Sequence, residues 1–371
     1  MAKTYDVAVL GGGPAAMLAA AELAAADLNV AVVVPPDSDT DCPLADWGPK
    51  DLLRAGSLAK AAVQKAGGEP FSRVVYHDAE LARQAEHKYR TPAGVLVQTS
   101  ALIAALRSAA EKAGAKVRST STRPAIRLDE DEVCILGATQ THARLLLIVH
   151  SRPSDVISEL ALPVRTVPQS ALTVAGLDIP LSGGQGKQLA GALHVVETPE
   201  RTELGMFFAV NNLLHIRVIS DSAASGTRAA ELSALVSGLQ RVEVLPSDLP
   251  LGRAKGAVWH PPAGVALELE SHVAKRCILA GTAGGFAASV TGQTLGPSVA
   301  SASLAAQVAH KALRAKNVQD SLMQFKSIWR KKLAPSLRPP NTSLQMLLPL
   351  LFVNKNVVPK FTRALLYGDN V

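Results

Sequence analysis

The sequence predicts an α/β protein: a parallel-sheet domain that carries an inserted antiparallel-sheet domain and ends in a helical C-terminal region. Three observations carry this reading. A glycine turn joins an apolar strand to an Ala-rich helix in "VAVLGGGPAAMLAAAELAAADLNVAVVVPP", short strand-like pieces fill about 163–270, and a second strand, glycine-rich turn and long small-residue helix return at 276–313. The expected boundaries are 1–162 with 271–315 for the discontinuous first domain, 163–270 for the sheet domain and 316–371 for the helical end.

Residues 6–34 read as strand, turn, helix and strand. Both apolar runs are continuous rather than alternating, as in parallel strands covered on two faces. In the turn Gly11-Gly12-Gly13-Pro14-Ala15-Ala16, Gly11 permits the tight exit from the strand and Gly13 lets backbone amides approach a pyrophosphate. Ala16 leaves room for close helix–sheet packing, with the helix N-terminus facing the phosphates. This is the GxGxxA pattern of a Rossmann-like unit; a purely structural glycine turn is the alternative. The second strand closes on Val34-Pro35-Pro36, where such units commonly carry an acidic side chain.

Helical periodicity returns in "QTSALIAALRSAAEKAGAKV" (98–117), with Thr99 or Ser100 able to cap and Gly114 able to end the helix. The strands "AIRL", "EVCIL" and "ARLLLIVH" follow. From about 163 to 270 come "LHVVET", "LGMFFAVNN", "LLHIRVIS" and "GVALELE", all read as strands, interrupted by the helix "TRAAELSALVSGLQ". The tail beyond 315 reads as mostly helical, broken by Pro335 and Pro339-Pro340.

At 371 residues, 48% of them apolar, the chain can bury a large core. Its start lacks the basic, apolar and small-residue order of a secretory leader, and no apolar run reaches the roughly 18–20 residues that span a bilayer. A cytoplasmic protein is expected. Cys42, Cys134 and Cys277 are far apart with no CxxC, which argues against a zinc site and a disulfide framework. From Lys311 onward eleven Lys and Arg face only Asp320 and Asp369, so the net charge of +7 belongs to the tail. His150, His194 and His215 sit in apolar strands as core histidines, and Trp259-His260-Pro261-Pro262 reads as a structural turn. No nucleophile elbow, nucleic-acid signature or aromatic platform is present, so hydrolysis and nucleic-acid binding are not expected.

The segments "DVAVLGGGPAA", "VLVQTSALIAALRSAAEKAGAKV" and "CILAGTAGGFAASVTGQTLGPSVASASLAAQVA" together resemble the FAD-dependent class built like para-hydroxybenzoate hydroxylase, particularly its geranylgeranyl reductase and halogenase-like branch. The resemblance covers most of the chain, and Cys42 matches a loop cysteine of the reductases. It implies FAD as cofactor, with Gly11, Gly12, Gly13, Pro14, Ala15 and Ala16 at the pyrophosphate, Gln98 at the start of the middle helix, Gly281 and Thr282 along the ribityl chain, and Gly292, Gln293 and Thr294 near the ring. It also implies a small apolar, isoprenoid or lipid-like substrate, because the tail of the reductase branch lies beside a greasy channel.

Four positions depart from that class. The ribose-binding carboxylate falls on Val34, an expected Arg falls near Gln98, the Asp-Gly after "LLLIVH" reads His150-Ser151-Arg152, and the Gly-Asp pair becomes Gly281-Thr282. Each lost polar contact weakens binding by about 0.5–1.5 kcal/mol, and three together by about two decades or more. Two other readings stay open: a flavoprotein fold that has lost its cofactor and serves as a scaffold, and a groove filled by a different nucleotide. In the tail, "LQMLLPLLFVNKNVVPKFTRALL" places basic residues beside an apolar run, which suits either core packing or peripheral membrane contact.

Overall fold

The computed structural model describes residues 4–36, 43–50, 57–137, 139–149, 153–160, 162, 170, 172–198, 203–221 and 229–371. Cys42 and His150-Ser151-Arg152 lie outside the described residues.

The first sheet runs in the order 273–274, 277–279, 141–148, 4–10, 30–34 and 116–119, with 133–136 and 125–128 joined beyond 141–148. Strand Thr4–Leu10 lies parallel to both neighbours, Val30–Val34 and Thr141–Ile148. Its side chains alternate between two interiors: Val7 and Val9 face the helical layer, Ala8 and Leu10 the opposite one. This is why the apolar run is unbroken. Helix Pro14–Ala25 packs on helix Leu295–Ala312; both are rich in Ala, and the second also in Ser, so the backbones approach closely. The chain thus returns after residue 270 to complete the first sheet through Cys277–Leu279, which pairs parallel with Thr141–Ile148.

The second sheet has seven strands in the order 255–259, 172–180, 213–221, 203–210, 192–197, 73–77 and 84–88. All pairs are antiparallel except Ala192–Glu197 with Arg73–His77. The sheet therefore draws on 73–88 as well as on 163–270. The hairpin joins because Val74 and Tyr76 extend the sheet's inner apolar face, where Tyr76 meets Phe361 edge to face and donates a hydrogen bond to Thr362 at 2.7 Å. The outer face is covered by helix Ala229–Arg241 and the inner face by the C-terminal helices and a third, three-stranded sheet of 45–49, 94–98 and 69–71.

One strand expectation is overturned. "GVALELE" forms a short helix, Val265–Glu268, because Gly264 adopts a left-handed conformation at φ +79° and Leu269 N–H donates back to the Val265 carbonyl. In the tail, Leu344, Leu348 and Leu351 are buried in the second core, while Met346, Leu350 and Val353 are 78%, 46% and 78% exposed. Among the described residues no helix is long and apolar enough to cross a membrane.

Candidate functional site

The glycine turn lies at the carboxyl end of strand Thr4–Leu10, where the chain's crossovers diverge to either side of that strand; in open α/β sheets this is where ligands bind. Gly11 takes φ +144° and its N–H donates to the Val33 carbonyl at 2.9 Å. The 12-residue helix that follows starts at Pro14 with Gly13 as cap, no capping side chain and no acidic residue in its first turn. Its amide donors and positive dipole end are left to a ligand.

A narrow cavity, with about 40 Å³ of space open to a water-sized sphere, lies against this turn. Gly13, Pro14, Ala15 and Ala16 form one wall. Thr294, Leu295, Ser298 and Val299, the beginning of the 18-residue helix Leu295–Ala312, form another. That helix start also lacks a side-chain cap and an acid. Thr282, Val149, Thr99, Pro43 and Asp46 complete the lining. Two uncapped helix N-termini thus converge on one cavity and favour an anionic ligand.

Six of the twelve expected cofactor residues line this cavity: Gly13, Pro14, Ala15, Ala16, Thr282 and Thr294. Gly281, Gly292 and Gln293 form turns beside it. Gly281, at φ +57°, would place a Cβ 2.2 Å from the Val149 carbonyl oxygen, and its N–H donates to Ser301 Oγ at 3.0 Å. Gly292, at φ +60°, turns the chain against Pro261, and the Gln293 amide donates to the Trp47 carbonyl at 2.6 Å. Gln98 does not line the cavity; its amide donates to the Asn211 carbonyl at 3.3 Å. Its neighbour Thr99 lines it instead. Thr99 does not cap its helix, and its buried Oγ1 has no partner among the described residues. A buried hydroxyl left without a partner is costly, so a polar ligand atom in the cavity would satisfy it. At the end of strand Val30–Val34 the Val34 carbonyl accepts from Thr120 N–H at 2.9 Å, and the Val34 side chain offers no acceptor for a ribose hydroxyl.

Sequence reasoning missed a charged network behind the cavity. Asp46 is buried on strand Ala45–Pro49, and Arg217 Nη2 donates to its Oδ1 at 3.0 Å. Arg217 Nε donates to His215 Nε2 at 2.9 Å, and His215 Nδ1 lies 2.8 Å from Asp178 Oδ1. Because a guanidinium can only donate, His215 Nε2 must accept and Nδ1 must carry the proton given to Asp178. Burial and the neighbouring Arg217 hold the His215 pKa below its ordinary value, in keeping with this neutral tautomer. The Arg217 guanidinium also lies 5.8 Å from the Phe208 ring centre and 5.6 Å from that of Trp259. His215 is thus a satisfied core histidine, as its apolar strand suggested. His194 is likewise buried, 3.0 Å from His77, and desolvation lowers its pKa to about 3. Cys134 and Cys277 are buried free thiols, and burial raises both their pKa values. The one signal in the sequence was Arg217 itself, a cation inside "LLHIRVIS".

No family model and no curated protein matches the sequence. Solved structures do. A geranylgeranyl bacteriochlorophyll reductase-like protein from Thermoplasma acidophilum superposes with a TM-score of 0.71 at 16% identity, over 89% of this chain and 84% of that one. A flavoprotein/dehydrogenase from Cytophaga hutchinsonii gives 0.65 at 13% identity, over 95% and 94%. A point mutant of the halogenase PltM, in complex with FAD, gives 0.66 at 16% identity, over 90% and 75%. The chain has the fold shared by these flavoproteins, the class that the glycine turn and the returning strand and helix resemble.

Proposed function

We propose that the cavity binds FAD and that the protein is a flavin-dependent oxidoreductase. The observation that carries this is the convergence of two uncapped helix N-termini with the unpartnered Thr99 hydroxyl on one cavity, in a fold shared with an FAD-bound halogenase. Gly11 to Ala16 would hold the pyrophosphate, Thr282 the ribityl chain, and Gly292, Gln293 and Thr294 the loop beside the ring. A bound flavin supplies the redox chemistry, and the chain positions it and keeps water away.

The substrate in this reading is apolar. A second, small recess lies on the same strand and loop, between Trp47, Val290, Gln293 and the C-terminal residues Leu365 and Leu366. The helical end also supports contact with an anionic membrane. Met346 on the short helix Leu344–Leu347, Leu350 on the 3-10 turn Leu348–Phe352 and Val353 just after it are all exposed, and no acidic residue occurs between Asp320 and Asp369 while eight Lys and Arg do. Lys355 and Lys360, both exposed, follow them directly.

Titration with FAD tests the cofactor assignment. Wild type should bind saturably, whereas Gly13→Asp, which sets a negative charge against the phosphates, should lose at least about tenfold in affinity. Equal binding by the two proteins would remove the pyrophosphate from the glycine turn.

A further inference from the structure

Among the described residues that line the main cavity, Asp46 is the one with an ionisable side chain. It is 2% exposed. Both hydrogen bonds it receives among the described residues, from Arg217 Nη2 and from Trp47 N–H, reach Oδ1. Oδ2 receives none among the described residues. A carboxylate oxygen can only accept, so a ligand that brings a hydrogen-bond donor to Asp46 would be matched here.

The remaining lining has the opposite polarity. The two helix starts present N–H donors, and the hydroxyls of Thr99, Thr282, Thr294 and Ser298 can donate, Ser298 Oγ already doing so to the Phe286 carbonyl. The cavity therefore matches a ligand that carries both anionic oxygens and hydroxyl donors. The acceptor is also held rigidly. Arg217 is fixed by His215 and by the Phe208 and Trp259 rings, and its Nη2 also donates to the Ala45 carbonyl at 3.4 Å. Such fixing lets a charged hydrogen bond form without reorganisation.

We propose that Asp46 is the anchoring carboxylate of this cavity, accepting through Oδ2 a hydrogen bond from a hydroxyl of the cofactor's ribityl chain and supplying the charge that Thr282 does not. Arg217 is the positioning residue that aims it. The inference rests on the FAD reading above.

The test is a double-mutant cycle of FAD dissociation constants over wild type, Asp46→Asn, Thr282→Asp and the double variant, with circular dichroism and a thermal melt as folding controls. Asp46→Asn should weaken FAD about tenfold, the difference between a charged and a neutral acceptor. Thr282→Asp alone should leave affinity unchanged or lower it, since two carboxylates around one cavity repel. Placed in the Asp46→Asn background it should restore affinity to within about threefold of wild type. Folded Asp46→Asn binding like wild type would overturn the proposal, as would an equal gain from Thr282→Asp in both backgrounds. Should Asp46→Asn fail to fold, Thr282→Asp alone decides, because a tenfold gain would mean that the cavity lacked a carboxylate. Wild type that binds no FAD would instead overturn the cofactor reading itself.

Discussion

Glu22 shows how much a single residue can reveal about the interior. It stands on helix Pro14–Ala25 facing helix Leu295–Ala312, where Ser303 Oγ donates to its Oε1 at 3.0 Å while Oε2 is buried without a partner among the described residues. Desolvation outweighs the hydrogen bond and raises its pKa from 4.5 to about 7. Between those values the folded state holds a proton that the unfolded state has released, so stability falls as pH rises through the window and the whole penalty is present above it. Glu22→Gln should therefore stabilise the protein by about 1–3 kcal/mol at pH 8 and by less than about 0.5 kcal/mol at pH 4, read from denaturant unfolding. Equal effects at the two pH values would contradict this. Buried histidines act on the acid side: desolvation lowers His77 and His272 to about 4, so their contribution is complete above pH 6.5 and is lost as pH falls toward 4. The glycine turn was legible at this scale because its backbone geometry demands those residue types. Asp46 and Thr99 were not, because a lone acid in "ADWGP" and a helix-start threonine become informative only once distant segments bring them to one cavity.

Among the elements, the parallel strands and the two small-residue helices followed directly from continuous apolar runs and Ala spacing. "GVALELE" did not, because alternation over a few residues cannot outweigh the turn imposed by Pro261, Pro262 and Gly264. Strands 73–77 and 84–88 were likewise hidden, the second reading as a charged stretch because alternate residues point to solvent at the sheet edge. The tail divides the same way: Leu344, Leu348 and Leu351 pack inward as a C-terminal helix would, and Met346, Leu350 and Val353 do not. Each Lys or Arg near an anionic leaflet contributes about 1 kcal/mol, and the effect weakens with salt. The full-length protein should therefore sediment with anionic vesicles at low salt, and reversing Lys355 and Lys360 to Glu should reduce the bound fraction. Absence of sedimentation under those conditions would leave the exposed apolar residues without a membrane role.

At the level of the whole molecule, the fold was legible in outline because its two halves announce themselves at either end of the chain and meet through Cys277–Leu279 beside Thr141–Ile148. The site was legible only as far as local turns define it. At Val34 and Thr282 the two carboxylates that the resemblance implies are absent, yet the described cavity lining retains helix-end donors, four hydroxyls and one buried carboxylate. That this cavity holds FAD is tested most directly by the visible absorption spectrum of the purified protein with and without added FAD. A protein-bound flavin spectrum, present on purification or reached at saturation well below about 1 mM FAD, is the predicted result. A spectrum equal to the sum of protein and free FAD at that concentration would contradict it.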